Sequence, residues 1–428
     1  MGDDVPCTEN EIDELPPRPD RRRFLASMLA VPVASHLTLR TVAAHLAALR
    51  SSREHVVVVG AGAFGGWTAL SLLRAGVRVT LLDAWGAGNS RASSGGETRV
   101  IRAAYNGQPV YTRMVARALE LWREAEERWG RRVFFPIGSL WMCAGDDSYV
   151  RRSIPHIQAA GLRIDELSPS DAGRRYPQMN FAAVRSVFFE PRAGYLLARQ
   201  SCELVRETFV REGGDYRVAL AQPVTSGSAR LSSVVLSDGS TLAADKFVFA
   251  CGPWMSQCFP DVIGRRIVAT RQEVFFFGVP AGSTRYDEGA MPVWVHISDH
   301  IVYGIPGNER RGLKIADDSA GAEVDPTTMD RAPSATGLAN ARQILRDRFP
   351  ALTDAPLVEA RVCQYEASTD GNYLVDRHPA LENVWLVGGG SGHGFKMGPA
   401  LGEHVAALVQ GNAQAIPLFA YQRLRPRP

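Results

Sequence analysis

Two hydrophobic rhythms alternate along this chain. His55 to Val59 is a short unbroken apolar run, the pattern of a strand buried on both faces. A helical pattern over Phe64 to Arg74 follows and stops at Gly76, a good residue just past a helix end. Val77 to Leu82 is a second apolar strand, closed by Asp83. Pro109 to Trp129 repeats apolar residues at helical spacing, with Met114, Ala118, Leu121 and Trp122 on one side. Strand-like pieces follow at Ser139–Cys143 and Ser186–Phe189, then a helix at Ala198–Glu212. A hairpin is expected around Asp238-Gly239 within Val234–Phe249, and Lys246 to Ala250 forms another buried strand closing on glycine. Arg271–Gly278 and Val293–Gly304 alternate as strands of a second, antiparallel sheet. Pro333–Phe349 is helical, Val384–Val387 is a last strand, and Pro399–Val409 a last helix.

Composition narrows the function classes. The chain has 428 residues, enough for two or three domains and a large core. Its formal net charge is +3, from 48 Lys and Arg against 45 Asp and Glu. Such a balance implies no polyanionic partner, and no basic run interleaved with aromatics suggests nucleic acid. The six cysteines, Cys7, Cys143, Cys202, Cys251, Cys258 and Cys363, form no C-x-x-C and resemble neither a zinc site nor a disulfide framework. No metal is therefore expected. The first 20 residues are polar, acidic and rich in proline, a disordered composition. Arg21-Arg22-Arg23-Phe24-Leu25 then precedes a modest apolar stretch, the pattern of a twin-arginine export signal. Asp20 stands where Ser or Thr is usual, and no clear A-x-A cleavage site follows. The stretch is too short for a stable membrane span. Export machinery would then be a transient partner, with a periplasmic or secreted location favoured over the cytoplasm. The alternative is an amphipathic arm, Leu37–Leu49, packed on the domain.

The first candidate chemistry lies between the first two strands. Gly60, Gly62 and Gly65 are spaced G-x-G-x-x-G directly after a strand and at the start of a helix. Gly60 allows the tight turn, Gly62 lets backbone approach a pyrophosphate, and Gly65 lets the helix lie close on the strand. The helix N-terminus faces the phosphates. Asp83 suits a ribose hydroxyl and disfavours a 2′-phosphate. Near the other end, Val384–Val387 runs into Gly388-Gly389-Gly390-Ser391-Gly392-His393-Gly394-Phe395-Lys396. Nucleotide-type elements thus occur at the beginning, middle and end, with a β-rich portion between them. A discontinuous dinucleotide domain with a second glycine-rich loop is what a flavin fold needs. There, loop amides and a helix N-terminus can meet the pyrimidine end of the ring system.

Several separated motifs carry a family resemblance: GAGAFG, GETRVIRAAY, DKFVFACGPW, YGIPGNERRGLKI, CQYEASTDGNYLVDRHP and GGGSGHGFKMGPALGE. In this order, over about residues 55 to 410, they resemble the D-amino-acid-oxidase superfamily. The nearest group within it holds the monomeric sarcosine, N-methyltryptophan and pipecolate oxidases. The resemblance implies an α/β fold: a discontinuous Rossmann-like FAD-binding domain (51–130, 186–265 and 363–425) with an inserted, mainly antiparallel substrate domain (131–185 and 266–362), after an N-terminal extension (1–50). It places Gly60, Gly62, Ala63, Phe64, Gly65, Asp83, Ser90, Val224, Gly252, Trp254, Gly392, His393, Gly394, Phe395 and Lys396 at the cofactor. Cys363, opening Cys363-Gln364-Tyr365, matches the cysteine that carries the flavin covalently. The following EASTD departs from the more usual Thr-x-Asp.

The resemblance also implies roles in catalysis. Lys314 matches the lysine that assists electron transfer to oxygen, and Arg99 an arginine over the flavin, able to pair with Glu97. Arg102 and Lys396 match two cations that grip a substrate carboxylate, leaving the α C–H over flavin N5. Tyr105, Tyr303 and Tyr365 match aromatic positions around the pocket, while His378 and His393 match structural positions. The implied reaction is oxidation of a secondary amine, as in an N-alkyl or cyclic amino acid. It gives an imine that hydrolyses, with oxygen reduced to hydrogen peroxide. Asp318 stands where a histidine is common. A carboxylate there would attract a cationic amine or an added positive group and oppose loss of the amine proton, which disfavours sarcosine itself. Otherwise Asp318 points to solvent. From the residues alone, Cys363 can be an unreactive buried thiol, Lys314 an exposed strand lysine, and Arg102 and Lys396 surface charges. Two other functions fit the fold: a dehydrogenase passing electrons to a quinone or other carrier, and a flavin-binding protein without turnover. Lys314 favours the oxidase over the first, and the Arg102–Lys396 pair argues against the second.

Overall fold

The computed structural model describes residues 54–224 and 227–427. The export-type segment and the Leu37–Leu49 arm lie outside the described residues. The apolar run His55–Val59 is buried along its whole length. It pairs in parallel with Arg78–Asp83 on one side and Lys246–Phe249 on the other. Val384–Gly388 continues the parallel set next to Lys246–Phe249. Asp215–Val218 closes one edge, and the antiparallel strand Leu374–Arg377 the other. This six-stranded sheet collects strands from both ends and the middle of the chain.

Helices cover it as the apolar spacing requires. Ala63–Arg74 starts on the glycine turn, and Gly76 follows it at φ +86°. Pro109–Trp129 matches its expected span and ends on Gly130 at φ 62°. Its buried residues include Tyr111, Val115, Leu119 and Trp122, and the Trp122 and Trp67 rings meet edge to face at 5.2 Å. The last helix, Gly398–Val409, lies against Ala63–Arg74. Gly402 permits this contact, because a Cβ there would stand 2.6 Å from the Trp67 backbone. Ala335–Arg348 begins where Ser334 Oγ accepts the Gly337 amide at 2.9 Å.

The second sheet has eight strands in the order Leu357–Ser368, Ile267–Phe277, Leu313–Asp317, Ile301–Ile305, Val293–Ile297, Ser139–Cys143, Ser186–Glu190 and Asp165–Leu167. All pairs are antiparallel except Ser139–Cys143 with Val293–Ile297. Two pieces assigned by sequence to the dinucleotide domain belong here instead. Ser186–Glu190 pairs with Ser139–Cys143, and the strand carrying Cys363 pairs with Ile267–Phe277. The first is buried on both faces, so its composition could not say which sheet it joins. Two three-stranded sheets complete the fold. One contains Thr98–Ile101, Gly194–Leu197 and Phe134–Phe135; the other contains the hairpin that turns at Gly239. Among the described residues no helix is long and apolar enough to cross a membrane. None of their His, Cys, Asp and Glu side chains form a group of three or more placed to hold a metal ion.

Candidate active site and cofactor cleft

A cleft of about 870 Å³ opens where the parallel strands end, the usual ligand position in such sheets. Gly60, at φ +105°, makes the first turn, and a Cβ there would strike the Ala250 carbonyl oxygen. Gly62 borders the cleft, and the neighbouring Ala63 amide donates to Ser94 Oγ at 3.1 Å. Asp83 is fixed by the amides of Ala61 at 2.8 Å and Trp85 at 3.0 Å. Burial still raises its carboxyl above the ordinary aspartate range. Phe64, Gly252, Trp254, Gly392, Gly394 and Phe395 complete much of the wall. Gly65 faces inward, where a Cβ would collide with the Gly60 carbonyl, so it serves packing and not contact. Val224 is outside the lining: Gln222 and Pro223 supply that part of the wall, and Val224 is 36% exposed.

A smaller cavity of about 100 Å³ shares Ala92, Arg99, Tyr365, Gly392 and Phe395 with this cleft. Ser90, Cys363, Tyr303, Lys314, Asp318, Arg102, His393 and Lys396 also line it. Arg99 comes from strand Thr98–Ile101 and donates to the Thr98 carbonyl at 2.7 Å and to that of Ser93. It reaches Cys363 Sγ at 3.6 Å. It does not pair with Glu97, which instead meets Arg361 at 2.8 Å, Arg311 at 3.3 Å and Arg199 at 3.4 Å.

Lys314 is 2% exposed, so it is no surface lysine. Its Nζ donates to the Thr98 carbonyl at 3.2 Å and lies 5.7 Å from the Tyr303 ring centre. Burial, then the charge of Arg99, lowers its pKa to about 7. Arg102 donates to the Ala104 carbonyl and lies over the rings of Tyr105 at 4.6 Å and Trp141 at 5.0 Å. Lys396 Nζ donates to Tyr105 Oη at 3.0 Å and the His393 carbonyl at 2.9 Å, and burial lowers its pKa well below the ordinary value. Trp122 Nε1 holds the Lys396 carbonyl at 2.9 Å. Arg102 and Lys396 therefore flank one tyrosine, and no carboxylate of the described residues comes within ion-pair distance of either.

Asp318 does not point to solvent. Its Oδ1 accepts the Tyr365 hydroxyl at 2.7 Å inside this cavity. Burial raises its pKa, against the pull of Tyr365, Arg102 and Lys396. Gly392, at φ +79°, leaves room for that tyrosine; a Cβ would sit 2.6 Å from its ring. His393 bonds Tyr373 Oη at 2.9 Å and the Gly371 carbonyl at 3.0 Å; burial, then Lys396, pushes its pKa down to about 3, so it stays neutral. His378 borders the larger cleft, and its Nδ1 accepts the Ala380 and Leu381 amides, both at 3.1 Å. Sequence reasoning missed Trp85, whose ring lies 4.6 Å from Trp254, and Glu366, which borders the larger cleft. Trp85 had a signal in its place two residues after Asp83; Glu366 had one only in the departure from Thr-x-Asp.

The sequence profile described as FAD dependent oxidoreductase (DAO) matches residues 55–408. The chain is 27% identical to the monomeric sarcosine oxidase of Bacillus sp. (strain B-0618) over 380 residues, 87% of this chain and 97% of that protein. It is 25% identical over 379 residues to the N-methyl-L-tryptophan oxidase of Yersinia pestis (strain Pestoides F), 87% and 99% of the two chains. Two solved structures share the fold. L-proline dehydrogenase from P. horikoshii has a TM-score of 0.76 at 20% identity, covering 87% of this chain and 97% of its own. A modified fructosyl peptide oxidase from Aspergillus nidulans also has a TM-score of 0.76, at 19% identity, covering 88% and 94%.

The residues present fit FAD. Gly60 makes the turn at the cleft floor, Gly62 borders the cleft where a pyrophosphate would approach, Asp83 offers a carboxylate for a ribose, and Glu366 Oε1 is buried at the cleft without a partner.

The buried ammonium gives a measurable linkage. Lys314 has a pKa of about 7 when folded and ~10.4 when unfolded. Between these values the unfolded chain holds the extra proton, so Lys314 makes stability rise with pH. Urea midpoints of flavin-free wild type should therefore climb relative to Lys314→Met from pH ~7 to pH ~10. Parallel profiles would show that Lys314 is charged in the fold.

Proposed function

Because this chain belongs to the FAD dependent oxidoreductase family, we propose that it oxidises the secondary amine of an N-alkyl or cyclic amino acid, with oxygen as acceptor. One observation carries the reading. The Arg102 guanidinium and the Lys396 ammonium face one cavity beside Tyr105, and no carboxylate of the described residues comes within ion-pair distance of either. A substrate carboxylate supplies the missing charge, and a guanidinium beside an ammonium fixes its orientation. The reacting C–H is then held at a defined place by its distance from the carboxylate. FAD supplies the two-electron acceptor, and the electrons pass on to oxygen to give hydrogen peroxide.

The other side chains divide the remaining work. Asp318, held by Tyr365, presents a carboxylate to the same space and attracts a cationic nitrogen. Lys314 and Arg99 place positive charge on the Cys363 side, where charge develops as oxygen is reduced. Cys363, beside the Arg99 guanidinium, is the attachment point for a covalent flavin.

Ligand titration followed through the flavin spectrum tests the substrate site. Trimethylammonioacetate and tert-butylacetate have the same shape and differ in one positive charge. Wild type should bind both, the zwitterion about tenfold more tightly. Asp318→Asn should remove that preference. Arg102→Ala and Lys396→Ala should weaken both ligands and lower kcat/KM for amino-acid substrates roughly 30- to 1000-fold, about 2–4 kcal/mol. Anions that leave the wild-type spectrum unchanged would end the amino-acid reading.

Acid-precipitated wild type should stay yellow, while Cys363→Ala should release its flavin to the supernatant. Complete release from wild type would leave Cys363 as a packing residue.

Lys314→Met should slow reoxidation of the reduced protein by oxygen far more than its reduction by substrate. Unchanged reoxidation in stopped-flow would move the assignment to a dehydrogenase using another acceptor.

A further inference from the structure

Glu366 lies on the long strand Leu357–Ser368, directly after Tyr365 and three residues past Cys363. It is 6% exposed. Its neighbours on the same side of the strand use backbone partners: Gln364 Nε2 donates to the Arg91 carbonyl at 2.6 Å and Ser368 Oγ to the Asn372 carbonyl at 2.7 Å. The Glu366 carboxyl instead borders the larger cleft, packed against Gly388, and its Oε1 has no hydrogen-bond partner. A buried oxygen without a partner is costly, so a water or a ligand from outside the protein chain is expected to meet it.

Its surroundings favour the neutral acid. Strand Ile267–Phe277 places Ala269 opposite Glu366. The loop after Gly388 offers only the amides of Gly389 and Gly390, which pull its pKa down, while burial pushes it up to about 7. The titratable group facing it from the end of strand Lys246–Phe249 is the Cys251 thiol. Asp83 and His378 border the same cleft, and no cation among the described residues pairs with it.

The fold also says which part of a dinucleotide reaches it. Gly388 ends strand Val384–Gly388, two places along the parallel sheet from the Gly60 turn. At ~4.8 Å per strand, that is roughly 10 Å from the pyrophosphate turn. Cys363, at the ring end, is three residues away along the other sheet. Between turn and ring lies the ribityl–phosphate linker.

Building on the assignment of FAD to this cleft, we propose that Glu366 is a cofactor ligand in its protonated form, donating its carboxylic O–H to an oxygen of the ribityl–phosphate linker. Loss of that proton would remove the donor and set a negative charge against the linker. FAD retention is then coupled to one proton, and weakens as pH rises.

The test uses the full chain with Cys363→Ala, so that FAD exchanges freely, with and without Glu366→Gln. Glutamine keeps a donor and cannot ionise. FAD dissociation constants are read by fluorescence from pH ~6 to pH ~9. The ratio of the Glu366 protein to the Gln variant should be flat at low pH and then rise about tenfold per unit above its midpoint. Lys314 and Lys396 titrate alike in both proteins and cancel. A ratio independent of pH, or one that falls, overturns the proposal. Infrared difference spectra of Cys363→Ala protein with and without FAD give an answer even if the Gln variant does not fold. The C=O band of a protonated acid should shift on FAD binding at pH ~6; an unshifted band, or carboxylate bands alone, overturns it.

Discussion

Four cations that face one cavity without an ion-pair partner set the terms for the rest of this site. Arg99, Arg102, Lys314 and Lys396 line the smaller cavity, and none has a carboxylate of the described residues within ion-pair distance. Positive charge taken out of water is costly unless something answers it. Backbone carbonyls of Ser93, Thr98, Ala104 and His393 turn toward these groups. The rings of Tyr105, Trp141 and Tyr303 offer their faces. The two ammonium groups yield part of their charge by lowered pKa. These partial answers leave net attraction for an anion. Glu97, on the wall of the same cavity, shows the contrast: it pairs with Arg199, Arg311 and Arg361, and the last two share a second carboxylate, Glu359.

The cations are held by separate pieces of scaffold. Arg99 sits on a three-stranded sheet, with Arg102 one residue past the same strand. Lys314 comes from the eight-stranded sheet, and Lys396 from the turn after the last parallel strand. Asp318 follows the Lys314 strand by one residue and is tied to Tyr365 on the far edge strand. Moving any one of these elements by an ångström would change the distance between charges. The packing beneath, including Trp122 on the Lys396 carbonyl, supplies that rigidity.

Much of this was legible in the chain. The first strand, glycine turn, helix and Asp83 follow the expected order, because both apolar period and turn chemistry point the same way there. Pro109–Trp129 was bounded correctly, its proline start and glycine stop agreeing with its amphipathic face. The strand Leu357–Ser368 was not, since the residues it buries after Val362 are Gln364, Glu366 and Ser368. A polar buried face erases the period-two hydrophobic signal. Glu97 misled for a different reason: two residues apart on an extended segment it could share a face with Arg99, but the fold brings Arg199, Arg311 and Arg361 to it from distant parts of the chain, which local spacing cannot show. Val224 belonged to an irregular link after Ala221–Pro223, where sequence position fixes no direction. Asp318 could be located but not aimed, because only its Tyr365 partner, distant in sequence, turns it inward.

The parallel sheet has a further meaning in time. Its first strand, His55–Val59, lies beside Lys246–Phe249, which in turn needs Val384–Gly388. The first helix is covered by the last, Gly398–Val409, across the close contact at Gly402. A ribosome adding 5–20 residues per second takes on the order of half a minute between these partners. Through that interval the glycine turn is present but has no floor. The cleft is finished only when helix Gly398–Val409 emerges, so a nascent chain that bears flavin has already been made past residue 409.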